Sequence, residues 1–247
     1  MLGVIGGSGI YSLSTLVETR SVEAITEYGA PSSPLVFFAQ EQSKADERLC
    51  FIARHGADHS IPPHKVNYRA NIQAMVDAGV ERILSVNAVG SCSEDFAVGE
   101  LLLPTQIIDY SYGREHTFFD KLQSFDDHID FTLPFDSDWQ QKIKHAAATQ
   151  NIDLPVAGTY ACTQGPRFET AAEVQRIIRD GGDVIGMTAM PEAALAKERG
   201  IAYASLSMVV NAAAGLQGDA ILHGDIDAVL LSASQRVKQV ILSLLTG

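Results

Sequence analysis

Positive charge is scarce in this chain. Eighteen Lys and Arg stand against 30 Asp and Glu, a formal net charge of −12 over 247 residues. So acidic a chain lacks the electrostatic footprint of a general nucleic-acid binder or of a polybasic membrane anchor. It can still hold an anion where cations are gathered locally. Cysteine is scarce too. Cys50, Cys92 and Cys162 are widely spaced, odd in number and form no C-x-x-C, so neither a disulfide framework nor a zinc site is expected. No run of about 18 apolar residues occurs, so no membrane span is expected. The opening MLGVIGGSG has no basic n-region and no useful apolar h-region, which reads against a signal peptide. A reducing cytoplasm is the expected address. Pro/Ser-rich linkers, low-complexity tracts and internal repeats are all missing.

Hydrophobic residues make up 46% and charged residues 19%, a core-forming balance. Short apolar runs alternate with helical patterns. Strands are predicted over 2–7, 35–40, 48–56, 82–91, 156–166, 183–189 and 201–211. Residues 100–110 read as a strand pair or a strand bent at Pro104. Helices are predicted over 67–80, 136–150, 170–182, 191–200 and 225–245, with Pro191 in a first turn. The alternation predicts a single-domain α/β fold over 1–247, with a central mixed twisted sheet flanked by helices on both faces. Residues 111–135, rich in aromatics, His and Asp, read as a long insertion, functional or at a subunit contact.

In open α/β sheets, ligands sit at the carboxyl ends of strands. Several predicted strands end suggestively. GGSG at 6–9 could bring backbone N–H groups and the Ser8 hydroxyl to an anion, or could be a tight turn. As a dinucleotide fingerprint it is incomplete: Gly7 and Gly9 fit, but position 12 is serine. ARHG at 53–56 offers His55 and Arg54, whose fork matches phosphate oxygens. Asp58, His59 and His64 follow without a metal-ligand spacing, so no metal is expected. The small residues of VNAVGS (86–91) permit close backbone approach. TQGPRFET (163–170) sets the Phe168 ring beside the Glu169 carboxylate, a pair able to stack on a flat heterocycle and read its edge. Equally, Phe168 could belong to the core and Glu169 to the first turn of the next helix. GMTAMPE (186–192) offers Met187 to a sugar face and Thr188 to an anion. SLSMVVNAAAG (205–215) ends an apolar strand on Asn211, a buried amide that needs hydrogen-bond partners.

Taken in order with the PPHKVNYRAN segment, these stretches resemble the trimeric purine nucleoside phosphorylase and methylthioadenosine phosphorylase family over nearly the whole chain. Within it, YACTQGPR and the GMT-MPEAALA text are most similar to the bacterial methylthioinosine subgroup. The resemblance implies phosphate-dependent cleavage of a purine nucleoside to free base and pentose 1-phosphate. It implies no metal or organic cofactor, inorganic phosphate being a co-substrate. It implies a phosphate site from Ser8, Arg54, His55 and Thr188, with a backbone N–H near Ala88. Met187 would lie against the ribose and Phe168 on the base, with Glu169 and Asn211 reading the purine edge. At the 5′ end, where ordinary members have a histidine, the alignment sets Ile226, with Val229 and Leu230 beside it. His223 is the alternative occupant, and simple core packing of the three apolar residues is another. His128 falls where methylthioadenosine enzymes bring a histidine across a subunit contact, and a homotrimer is implied. Asn87 departs from the threonine those enzymes carry.

An ionised Glu169 accepts from the N1–H of hypoxanthine but faces a lone pair on N1 of adenine. Asn211 can donate to N7 or O6. The expected reaction is therefore cleavage of 5′-methylthioinosine to hypoxanthine and methylthioribose 1-phosphate. Discrimination is expected to fall short of the roughly 10⁴–10⁵ such sites can reach, because an amide can flip. The rivals are cleavage of methylthioadenosine, cleavage of inosine or guanosine, an NAD-dependent oxidoreductase using GGSG, and a non-catalytic nucleoside binder.

Overall fold

A computed structural model describes residues 1–10, 13, 16–39, 47–216 and 223–246, without the side chains of 223–225. Its strands are β1 (Leu2–Gly6), β2 (Val17–Val22), β3 (Leu35–Ala39), β4 (Leu49–Ala53), β5 (Arg82–Ser91), β6 (Leu101–Leu102), β7 (Gln106–Asp109), β8 (Thr159–Cys162), β9 (Val184–Gly186) and β10 (Ala202–Ala212). Its helices are α1 (Tyr68–Asp77), α2 (Ser137–Thr149), α3 (Ala171–Arg179), α4 (Ala189–Glu198) and α5 (His223–Thr246).

The strands form one mixed sheet in the order β2-β3-β4-β1-β5-β9-β8-β7, with β10 branching from β5 and carrying β6. The expected α/β architecture, a mixed sheet with helices on both faces, is the one observed. Successive strand residues point to opposite faces. Val4 and Ile5, Phe37 and Phe38, Phe51 and Ile52, and Ile83 and Leu84 accordingly divide between two buried clusters. One cluster includes Ile72 and Met75 of α1 with Ala193 and Leu195 of α4; the other includes Trp139 and Ile143 of α2 with Val237 and Ile241 of α5. Helix α5 is long and apolar enough to cross a membrane by length and composition. Its fully buried residues, Ala233, Val237, Val240 and Ile241, lie at helical spacing and pack in the core.

Residues 100–110 resolve into a pair: β6 runs antiparallel beside β10, and β7 runs parallel beside β8. Strand β2 was not foreseen. Its burial alternates only loosely, and it is an edge strand antiparallel to β3. In α4, Met190 has extended backbone (φ −112°, ψ 137°), as the residue before a proline prefers, so the regular helix starts at Pro191.

Parallel pairing of β5 with both β1 and β10, and of β1 with β4, brings four carboxyl ends to one edge. The residues that follow β8 and β9 reach the same place, because Gly90 of β5 pairs with Ile185 of β9. All six strand ends singled out above meet there.

Candidate active site

A cavity of about 400 Å³ opens at that edge. Its lining includes Ser8, Arg54, His55, Ala88, Phe168, Glu169, Met187, Thr188, Asn211, Ile226 and Leu230. The sequence thus brings together residues up to 222 positions apart (Ser8 to Leu230). One expected member of the wall, Val229, is elsewhere, and His128, expected across a subunit contact, is not in it either. Val229 packs half-buried against the α2/α5 core, one helix position round from the cavity-facing Leu230. His128 ends a short 3₁₀ turn and lies against Phe125 (ring centroids 5.5 Å), outside this chain's own cavity. The side chain of His223 lies outside the described residues.

At the end of β1 the chain turns sharply, with the Ile10 N–H donating to Gly7 O at 3.1 Å. Gly7 is needed for closeness: a Cβ there would stand 2.6 Å from both Arg54 Nη1 and Val86 O. Arg54 is 1% exposed and deeply engaged. Nε and Nη2 donate to the two oxygens of Glu192 (2.8 and 2.9 Å), Nη2 also to Ser85 Oγ (2.6 Å), and Nη1 to Val86 O (3.0 Å). This corrects the expected geometry. The bidentate fork grips the Glu192 carboxylate and not a ligand's phosphate, and of the five N–H groups one on Nη1 is left for a ligand. Burial alone would lower the Arg54 pKa, but the Glu192 carboxylate outweighs it and raises it, so the cation is permanent.

Glu192, at the end of the GMTAMPE stretch, was not singled out in the sequence. It is completely buried and also accepts from Ser85 Oγ (2.6 Å) and Tyr203 Oη (2.8 Å). Asn87 extends the network. Its Nδ2 donates to Ser205 Oγ (2.7 Å) and its Oδ1 accepts from Thr188 Oγ1 (2.7 Å). Asn87 therefore orients the Thr188 hydroxyl. His55 Nδ1 lies 2.8 Å from Ile61 O; a carbonyl only accepts, so this nitrogen carries the proton. Burial, then the Arg54 charge, lowers the His55 pKa to about 4, so the ring is neutral at pH 7. His59, noted earlier only as a failed metal ligand, lies tilted against it (ring centroids 4.8 Å) and also lines the cavity.

On the opposite side, Phe168 is 45% exposed, so it is not a core residue. Glu169 lies before the α3 N-cap, Thr170; the capping box is completed by Glu173, which leaves Glu169 to the cavity. Thr163, at the end of β8, donates its hydroxyl to Glu169 Oε1 at 2.7 Å and fixes the carboxylate. Pairing of β10 with β5 shifts register between Val209 and Asn211. This bulge turns both Val210 and Asn211 to the cavity wall, as bulges commonly do. Gly90 opposite keeps room, since a Cβ there would stand 3.3 Å from Asn211 Nδ2. Asn211 Nδ2 donates to Ala212 O at 2.6 Å. That carbonyl cannot donate, so it disfavours the amide flip that weakened the expected discrimination.

The cavity thus has a polar, cation-bearing end (Ser8, Arg54, His55, Thr188), an aromatic and hydrogen-bonding end (Phe168, Glu169, Asn211), and apolar Ile226 and Leu230 in its wall. Such an arrangement can hold an oxyanion beside a flat heterocycle. The chain is similar to a probable S-methyl-5′-thioinosine phosphorylase of Xanthomonas campestris, 47% identical over 219 residues, covering 89% of this chain and 86% of the relative. It is similar to the 6-oxopurine nucleoside phosphorylase of Pyrococcus furiosus, 39% identical and covering 98% and 91%. Among solved structures, methylthioadenosine phosphorylase from Schistosoma mansoni in complex with adenine superposes with a TM-score of 0.90 at 28% identity, covering 99% and 90%. The family model of the phosphorylase superfamily matches residues 1–246, and the chain belongs to that family.

Proposed function

We propose that this enzyme cleaves the N-glycosidic bond of 5′-methylthioinosine with inorganic phosphate, releasing hypoxanthine and 5-methylthioribose 1-phosphate. The observation that carries the reading is the pairing of Glu169 with a pinned Asn211 in the cavity that also holds Arg54 and Thr188. Phosphate would sit against Ser8, the free Arg54 N–H, His55, Thr188 and the backbone at Ala88, with Met187 against the ribose. A phosphate oxygen attacks C1′ as the C1′–N9 bond breaks, and the bonding pair leaves with the purine. Charge separates along this path, a cationic ribose between two anions, so positioning and preorganised donors lower the barrier most. Asn211 donates where negative charge grows, at N7 or O6. Glu169 accepts from N1–H. Apolar Ile226 and Leu230 suit a methylthio group and would leave a 5′-hydroxyl unpaired.

The relatives named for S-methyl-5′-thioinosine support the same reading. The relative named for 6-oxopurine nucleosides supports the oxopurine half and keeps inosine cleavage as the second reading. A homotrimer completes the proposal, with the partner subunit's His128 closing a site that this chain's own His128 does not reach. The test is product analysis. With phosphate present, methylthioinosine should yield hypoxanthine and a pentose 1-phosphate visible by phosphorus NMR; without phosphate, nothing should form. Release of hypoxanthine without phosphate, or no release at all, would contradict the proposal.

A further inference from the structure

Arg114 lies in the 111–135 insertion, and nothing in the sequence marked it. It is 9% exposed. Its Nη1 donates to the carbonyls of Met187 (2.8 Å) and Met190 (2.5 Å). Its Nη2 donates to those of Gln164 (2.8 Å) and Thr163 (3.1 Å), and Nε to the Gln164 side-chain oxygen (3.2 Å). A longer contact from Nη1 reaches Tyr68 Oη at 3.3 Å. Every N–H of the guanidinium has an acceptor, and every acceptor is a neutral oxygen.

The two arms of the fork hold two different segments. Nη2 holds the start of 163–170, the segment that carries Phe168 and Glu169. Nη1 holds 187–190, which carries Met187 and Thr188. Inside that first segment, Thr163 both offers its carbonyl to Arg114 and its hydroxyl to Glu169. We infer that Arg114 is a positioning residue that sets the base-reading loop against the ribose-facing loop, and so fixes where C1′ stands relative to the purine edge. The phosphate end is fastened separately, by Asn87 on Thr188 Oγ1 and by Glu192 on Arg54. Loss of the clamp therefore falls on the nucleoside and spares phosphate. Lysine cannot substitute, because a single ammonium cannot bridge two loops as a planar fork does.

The inference rests on the nucleoside-cleavage reading. The experiment compares the full-length wild type with Arg114→Lys and Arg114→Ala. It measures kcat, the KM for methylthioinosine, the KM for phosphate, and the melting-temperature shifts produced by hypoxanthine and by phosphate. Both variants should lose about tenfold or more in kcat/KM for the nucleoside, with phosphate KM within about threefold of wild type. The hypoxanthine shift should shrink while the phosphate shift persists. Added methylguanidinium should restore part of the Arg114→Ala rate and leave wild type unchanged, which a merely structural role would not produce. Equal losses for both substrates, no loss, or absence of rescue would overturn the inference. If neither variant folds, Gln164→Leu decides, since it removes the Nε acceptor and keeps the four carbonyl bonds of Arg114, although the Tyr112 N–H loses the same oxygen. A nucleoside KM raised several-fold with unchanged phosphate KM supports the clamp, and any other pattern overturns it. A wild type that binds both ligands but cleaves no nucleoside overturns the functional reading instead, and the paired thermal shifts still decide the clamp. A wild type that binds neither overturns both.

Discussion

At the scale of single residues, the site depends on partners that no local pattern announces. Arg54 was legible as a cation at a strand end, but its carboxylate lies 138 positions away, in a helix start that reads like any other. Removing that charge leaves a buried cation uncompensated. Glu192→Gln should cost about 3–5 kcal/mol of stability in urea unfolding; a loss below about 1 kcal/mol, the scale of a surface pair, would mean that the pair is not the anchor described. His55 gives a pH signature. Its folded pKa of about 4 lies below the ordinary 6.5, so under pH 6.5 the unfolded chain binds the proton first. Its stabilising contribution is therefore full above pH 6.5 and is lost as pH falls through about 4. His55→Gln should flatten the stability–pH curve in that window, and an unchanged curve would count against a neutral, buried ring. Asn211→Asp should lower oxopurine cleavage by about 10- to 100-fold, the cost of one unsatisfied buried polar group. Any gain on aminopurine nucleosides should grow as pH falls, because a carboxyl facing the Ala212 carbonyl at 2.6 Å donates only when protonated.

At the scale of elements, most of the frame could be read from the chain. Apolar runs and glycine stops gave β1, β4, β5 and β10 to within a few residues, because buried parallel strands are continuous apolar runs. The edge strand β2 was missed for the opposite reason, since an exposed edge carries little periodic signal. The bulge at Val210 was also invisible, because register is a property of two strands and not of one. It nevertheless answers why an apolar strand ends on an asparagine: the bulge turns Asn211 to the cavity, where Gly90 leaves it room. The glycine end of β1 is closely packed. In Gly7→Ala the new Cβ meets backbone and Arg54 at 2.6 Å, so neither neighbour can yield cheaply. A stability loss of about 1–3 kcal/mol with phosphate binding weakened is expected from overpacking. Thermal melts with and without phosphate check this; a fully stable variant with normal phosphate response would contradict the packing.

At the scale of the whole molecule, the family and its fold were legible because the motifs stand at strand ends that one sheet brings together. The insertion over 111–135 was legible only as an insertion, since Arg114 acts through backbone carbonyls that leave no sequence pattern. The three cysteines agree with the absence of any disulfide motif. Cys50, Cys92 and Cys162 are free and buried, and burial pushes each thiol up to about 12. A thiol reagent should therefore leave the native protein almost untouched and react with all three once it is denatured; fast native labelling would show that the core is looser than described. The central claim joins two ends of one cavity, an oxopurine reader and an apolar 5′ wall. The measurement that tests it most directly is phosphorolysis of methylthioinosine, methylthioadenosine and inosine side by side at saturating phosphate. The account predicts that methylthioinosine has the highest kcat/KM, by about tenfold or more over each rival. Preference for methylthioadenosine would contradict the reading of Glu169 and Asn211, and preference for inosine the reading of Ile226 and Leu230.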